Sequence, residues 1–321
     1  MPTSDPARTS PTPGDAEIER AAALLRGGGV VAFPTETVYG LGAHARDAAA
    51  VARVFRLKGR PPTSPLIVHV ADAAAARALA AEWTDAAARL AARFWPGPLT
   101  LVVPRAPGLP DAVAAGLPTV GLRVPSHPVA QALLRRTALP LAAPSANRFT
   151  RLSATCAEHV RAAFGDGVDL VLDAGLTPIG IESTVVSLAG PVARLLRPGA
   201  VTLAELRAEL GDVETAPPPA PGAAHPAPGM HARHYSPATR LVVLDRGAAA
   251  PPGRGAWVRR APATSGDGDV TLPADAPGFA ARLYATLHAL DVRGLDWIAV
   301  ERPPESPEWD AVRDRLRRAA D

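Results

Sequence analysis

Two hydrophobic periods alternate along the chain. In DAEIERAAALLRGGG, apolar residues recur every three to four positions behind an acidic start, which predicts a capped helix closed by three glycines. VVAFP is short and uniformly apolar and predicts a buried strand, and DAAAVARVFRLKGR returns to the helical period until Gly59 and Pro61 stop it. PLIVHV predicts the next strand, the alanine-rich stretch from Ala73 to Phe94 two helices, and LTLVV and TVGLRVP two more strands. Then come a helix from Pro128 to Arg136, the strand PLAAP, a helix from Thr155 to Phe164, the strands VDLVLDAG, STVVSL and ARLLRP, and a helix from Leu203 to Leu210.

This interleaving predicts an α/β sheet domain over residues 15–212, after a disordered tail at 1–14. From Val213 the pattern breaks. VETAPPPAPGAAHPAPG has too many prolines and too little apolar surface to pack, so 213–237 is expected to be a semi-extended linker. A smaller α/β unit follows over 238–321, with strands at Arg240 to Leu244, Ala256 to Arg259 and Trp297 to Val300, and helices at Pro277 to Leu290 and Glu308 to Ala320. There is no internal repeat.

Composition narrows the chemistry. The 47% hydrophobic content over 321 residues is that of a globular protein with room for two cores. Net charge is only +3, which suits a local basic cleft for small anions better than a broad nucleic-acid surface. Cys156 is the single cysteine, so neither a disulfide framework nor a thiolate metal cluster can form within the chain. The opening MPTSDPARTSPTPG has no apolar signal region, and no segment is long enough to span a bilayer; a cytoplasmic protein is expected. Of the 34 Lys+Arg residues only Lys58 is lysine. A chain that uses arginine everywhere else has kept one compact ammonium, and an ammonium is not equivalent to a planar guanidinium at a tight site.

Familiar phosphate and metal signatures do not occur. Gly27 to Gly29 precede a strand instead of bridging strand to helix, so they read as a helix stop, and there is no Walker loop, HExxH or nucleophile elbow. His231 and His234 have no third ligand beside them, so no protein metal site is expected. What recurs is a set of charged and hydroxylated residues at strand ends. PTETVYGLG places Thr35, Glu36, Thr37 and Tyr39 after a strand, with Gly40 and Gly42 read as allowing close backbone approach. FRLKGRPPTSPLIVHV offers Lys58, Arg60, Thr63, Ser64 and His69; a helix-end dipole explains one of those cations but not two. Thr119 and Arg123 bracket TVGLRVP; Ser145, Asn147, Arg148 and Ser153 line APSANRFTRLSAT; Ser183 and Arg197 fall in IESTVV and LLRPG. Each group alone is what a solvated turn would show. Together they predict one concave anion site facing solvent.

PTETVYGLG, KGRP with SPLIVHV, PSAN, IESTVV, LLRPG and HYSP, in this order, resemble the threonylcarbamoyl-AMP synthase family in its long form. The resemblance implies a YrdC-like α/β fold, a twisted mixed sheet with flanking helices around a concave basic cleft, plus a smaller Rossmann-like C-terminal domain. It implies a nucleotidyltransferase: ATP, L-threonine and bicarbonate give threonylcarbamoyl-AMP and pyrophosphate, for the threonylcarbamoyladenosine modification of tRNA. By position it implies that Thr35, Thr37, His69, Arg123, Ala143 and Ser183 hold L-threonine. Lys58 and Arg60 would be catalytic and, with Ser64, Thr119, Ser145, Asn147, Ser153, Arg197 and Tyr235, would hold ATP. The linker becomes a lid, Mg2+ accompanies the nucleotide and is held chiefly by it, and the product passes to a tRNA threonylcarbamoyl transferase with no direct tRNA requirement. Three positions depart from the family pattern: Ser64 for asparagine, Thr150 for glycine and Ala154 for proline. Two other readings compete: an RNA-binding or ribosome-associated factor using the basic cleft, and a carbamoyl-adenylate enzyme of hydrogenase maturation, which would carry zinc-finger cysteines absent from this sequence.

Overall fold

The computed structural model describes residues 12–217, 227–229, 234–261 and 268–320. The expected tail up to residue 11, the bulk of the proline-rich segment with His231, and residues 262–267 lie outside the described residues. The strands of the first unit are β1 (Val31–Phe33), β2 (Gly40–His44), β3 (Ile67–His69), β4 (Leu99–Pro104), β5 (Thr119–Arg123), β6 (Leu141–Ala142), β7 (Leu170–Val171), β8 (Thr184–Ser187), β9 (Ala193–Arg197) and β10 (Val213–Thr215). Its helices are α1 (Asp15–Arg26), α2 (Ala48–Lys58), α3 (Ala73–Arg77), α4 (Asp85–Phe94), α5 (Asp111–Ala114), α6 (Pro128–Thr137), α7 (Ala157–Phe164) and α8 (Leu203–Leu210). The second unit contains β11 (Arg240–Leu244), β12 (Gly255–Arg260), β13 (Val270–Leu272), α9 (Ala276–Asp291), β14 (Trp297–Glu301) and α10 (Asp310–Ala319).

The larger sheet is mixed, in the order β10-β9-β8-β4-β5-β3-β6-β2-β1-β7, and the smaller is parallel, in the order β11-β14-β12-β13. Local chemistry fixes the helix starts. Asp47 accepts from the N–H of Ala49 and Ala50 at the head of α2 (2.9 and 3.1 Å), and Thr202 and Glu205 form a reciprocal capping box at α8.

Two expectations need correction. GLGAH, for which no strand is predicted, is β2, antiparallel to β1 with Val31 opposite Gly42. Glycine at 42 serves packing, because a Cβ there would lie 2.6 Å from the Phe33 ring. The linker does not begin at 213, since Val213–Thr215 pairs in parallel with β9 and Val213 is fully buried.

The two units share a core. Phe279, Leu283, Tyr284 and Trp309 of the second unit cluster with Val38, Leu152 and Ile181 from loops of the first and with Tyr235 from the segment between the two. Burying each such side chain contributes about 1.5–3 kcal/mol, so the second unit is anchored to those loops.

Candidate active site

The turn after β1 is organised by its hydroxyls. Arg123, at the end of β5, donates from Nη1 to Thr37 Oγ1 (2.9 Å), and Thr37 and Thr35 are linked at 2.8 Å. Thr35 donates onward to the carbonyl of Val38 (2.6 Å), so the hydroxyl protons run in one direction, away from the arginine. Arg123 Nη2 bonds Glu36 Oε1 at 2.7 Å and Nε bonds the carbonyl of Gly97. Three of its five N–H groups are thus engaged, with the side chain 4% exposed, and the remainder are oriented by the rest. Beside it, His69 closes β3 with Nδ1 buried and unpartnered. Burial, aided by the Arg123 charge, depresses its pKa to about 3, so the imidazole is neutral.

Two further guanidiniums, of Arg60 and Arg197, are buried as well. Arg60 is tied through Nε to the carbonyl of Ser64 (3.1 Å) and through Nη2 to that of Pro65 (2.8 Å). Burial, with Arg197 nearby, pulls its pKa down to about 10. Arg197, ending β9, donates to the carbonyl and the hydroxyl of Ser183 (3.1 and 3.2 Å) and to the carbonyl of Pro228 (3.0 Å). Ser183 in turn meets Thr100 at 2.8 Å. Ser145 bonds Asn147 Oδ1 at 2.6 Å.

Thr35, Thr37, His69, Arg123, Ala143 and Ser183 line one cleft. Arg60, Ser145, Arg197 and Tyr235 line the same cleft. The free volume between them is about 40 Å³, against roughly 300–1,000 Å³ for ordinary ligand pockets, and Pro228, Gly229, His234 and Tyr235 complete its lining. Tyr235 has φ +64° and a buried, unpartnered hydroxyl. Gly229, at φ +79°, has no room for a Cβ, which would collide with that hydroxyl.

The other expected residues do not line the cleft. Lys58 is 2% exposed instead of facing solvent; its Nζ lies 2.6 Å from the carbonyls of both Ser145 and Asn147. Burial and the Arg60 charge hold its pKa well below the usual lysine value. Asn147 spends its amide on the carbonyls of Arg148 and Arg151 (2.8 and 2.7 Å), shaping the SAN loop. Ser64 is buried and offers its carbonyl to Arg60. Ser153 is buried and donates to Glu182. Thr119 opens β5 opposite Pro104, at the far end of the strand from Arg123, about 13 Å away at 3.3 Å per residue. Thr150 adopts φ +66° despite its Cβ, and its carbonyl accepts from the N–H of Ser236 (2.9 Å), so the loop takes the left-handed conformation without glycine.

The sequence reading missed two charged residues. Glu182 is 5% exposed and lines the cleft next to Ser183; the Arg315 and Arg197 charges outweigh burial and keep its carboxyl below the usual range. Its place in IESTVV was a usable signal. Arg315, on α10, carried none, because its helix contains four arginines of which one points inward.

A mixed-sheet domain with a buried, arginine-walled cleft, closed by a parallel α/β domain, defines a two-domain α/β enzyme that handles small anionic substrates. Residues 23–199 match the Sua5/yciO/yrdC family, described as telomere recombination, and residues 201–321 match the threonylcarbamoyl-AMP synthase C-terminal domain. The chain is 38% identical to threonylcarbamoyl-AMP synthase of Pyrococcus abyssi over 95% of its length and 94% of the relative's. It is 39% identical to the Bacillus subtilis synthase over 95% and 93%. The crystal structure of P. abyssi Sua5 complexed with L-threonine superposes with a TM-score of 0.89 at 37% identity, covering 96% of this chain and 95% of that one. The chain belongs to the threonylcarbamoyl-AMP synthase family.

Proposed function

We infer that this chain is an ATP-dependent L-threonylcarbamoyladenylate synthase, a nucleotidyltransferase serving threonylcarbamoyladenosine formation in tRNA. The carrying observation is that Thr37, His69 and Arg123 line one cleft together with Arg60, Ser145 and Arg197. Arg123, already oriented by Glu36 and Thr37, takes the threonine carboxylate on its remaining N–H groups. Neutral His69 presents an uncharged ring nitrogen to the amino acid. Bicarbonate and the threonine amine condense to a carbamate with loss of water, and a carbamate oxygen then attacks the α-phosphorus while pyrophosphate departs. Arg60 and Arg197 offset the phosphate charge, and the wall holds the two mutually repelling anions together. No side-chain nucleophile is needed.

Mg2+ arrives with ATP. Among the described residues no three His, Cys, Asp or Glu side chains cluster as a metal cage, so phosphate oxygens and water are its ligands in this reading. The cleft is too small for both substrates with Tyr235 seated in it, so the segment around Pro228 and Tyr235 moves out to admit them and returns as a lid over a hydrolysable product. The product passes to a tRNA threonylcarbamoyl transferase in the cytoplasm. Arg60, Arg123 and Arg197 are each at most 7% exposed, which suits a small anion and disfavours a phosphodiester chain. Titration with ATP tests this: binding is expected to tighten when L-threonine is present. Binding of RNA that falls steeply with salt and ignores threonine would instead favour the nucleic-acid reading.

A further inference from the structure

The second domain sends one charged side chain into the wall of the cleft. Arg315 on α10 is 0% exposed, and every nitrogen of its guanidinium donates a hydrogen bond. Nε donates to Glu182 Oε2 (2.7 Å), Nη1 to Asp314 Oδ2 (2.9 Å), and Nη2 to the carbonyls of Pro198 (3.1 Å) and Glu182 (3.4 Å). The guanidinium also lies over the Tyr235 ring, 5.2 Å from its centroid.

The positions of these acceptors matter more than their number. Glu182 immediately precedes Ser183, and Pro198 immediately follows Arg197, so one fork grips the backbone outside both members of the Arg197–Ser183 pair. The Glu182 carboxylate then relays the grip to the Ser153 hydroxyl and to Tyr284, also of the second domain. The Ser153 carbonyl meets a ring nitrogen of His288, again from the second domain, at 3.1 Å. We propose that Arg315 is a positioning residue for the nucleotide side of the cleft: it fixes Pro198 and Glu182, and through them the placement of Arg197 and Ser153. The second domain thereby sets the shape of a site formed by the first. This rests on the reading of the cleft as the ATP and threonine site. A lysine could keep the charge but not the planar fork that reaches these acceptors at once.

Steady-state kinetics on the full chain test it, with threonine-dependent pyrophosphate release from ATP as readout and Arg315→Lys and Glu182→Gln as variants. A wild-type chain that releases none overturns the functional reading whatever the variants do. Given an active wild type, Arg315→Lys is expected to unfold cooperatively and to raise KM for ATP by about tenfold, with kcat and KM for threonine each moving by less than about threefold. An unchanged KM for ATP overturns the proposal, as do equal rises in both KM values, which general loosening would produce. If Arg315→Lys does not fold, ATP titration of Glu182→Gln decides: about tenfold weaker binding supports the proposal, and wild-type affinity overturns it.

Discussion

Lys58, singled out by its rarity, has surroundings that the sequence does not suggest: it is buried and does not face solvent. Its rarity among arginines marked it as special, and the phosphate chemistry of the reaction suggested a solvent-facing role. The structure gives the ammonium a different reason to persist: it sits between two carbonyls at 2.6 Å each, joining the end of α2 to the SAN loop. A guanidinium is too broad for that space. Lys58→Arg is therefore expected to lower stability by about 1–3 kcal/mol through overpacking and unmet hydrogen bonds, read as a lower urea midpoint. An unchanged midpoint with lost turnover would mean that the ammonium serves substrate alone. That Arg123, Arg197, Thr37 and Ser183 gather in one cleft was legible, because Arg123 and Arg197 end β5 and β9, Ser183 immediately precedes β8 and Thr37 lies in the turn between β1 and β2. Asn147 was not, because nothing in PSAN says that its amide is consumed in folding its own loop.

At the level of elements, long periodic helices and apolar strands were readable, and β2, β10, β13 and the short α5 were not. β2 carries glycines chosen for the Phe33 ring, and β10 begins inside a proline-rich composition, so tertiary packing overrides local propensity in both. Contacts between elements were also invisible. His159 of α7 and His288 of α9 stack with ring centroids 3.8 Å apart. Burial, with His288 alongside, lowers the His159 pKa to about 3; burial lowers that of His288 as well. The ordinary value is 6.5, so on acidification the unfolded chain takes protons that the folded chain refuses. The stability from holding these rings neutral is complete above pH 6.5 and is lost as pH falls from there toward 3. Each refused proton contributes a slope of about 1.4 kcal/mol per pH unit. His159→Gln is expected to flatten the stability profile between pH 6 and 4 by about that much, measured by urea unfolding across the range. An unaltered slope would show that His159 titrates alike in both states.

The whole molecule is more tightly integrated than a catalytic domain with an appendage. Val38, Leu152 and Ile181 are covered by Phe279, Leu283 and Trp309, and Arg315 is paired with Glu182. Removing the chain after Gly211 would take away β10, strip that apolar cover and leave Glu182 buried without its partner, so loss of activity would accompany loss of folding. The intact chain is accordingly expected to melt in a single calorimetric transition, with calorimetric and van't Hoff enthalpies in agreement. Two separated transitions would mean that the interface contributes little. None of this was written in the sequence: the break at the proline-rich segment suggested independent units, because burial across an interface leaves no period in either partner.

The account turns on one cleft activating one amino acid with ATP. Incubating the full chain with ATP, Mg2+, bicarbonate and L-threonine, and following pyrophosphate together with the mass of the adenylate product, tests that most directly. Pyrophosphate release that requires threonine, with threonylcarbamoyl-AMP as the co-product, is the expected result; release indifferent to threonine, or none, would contradict it.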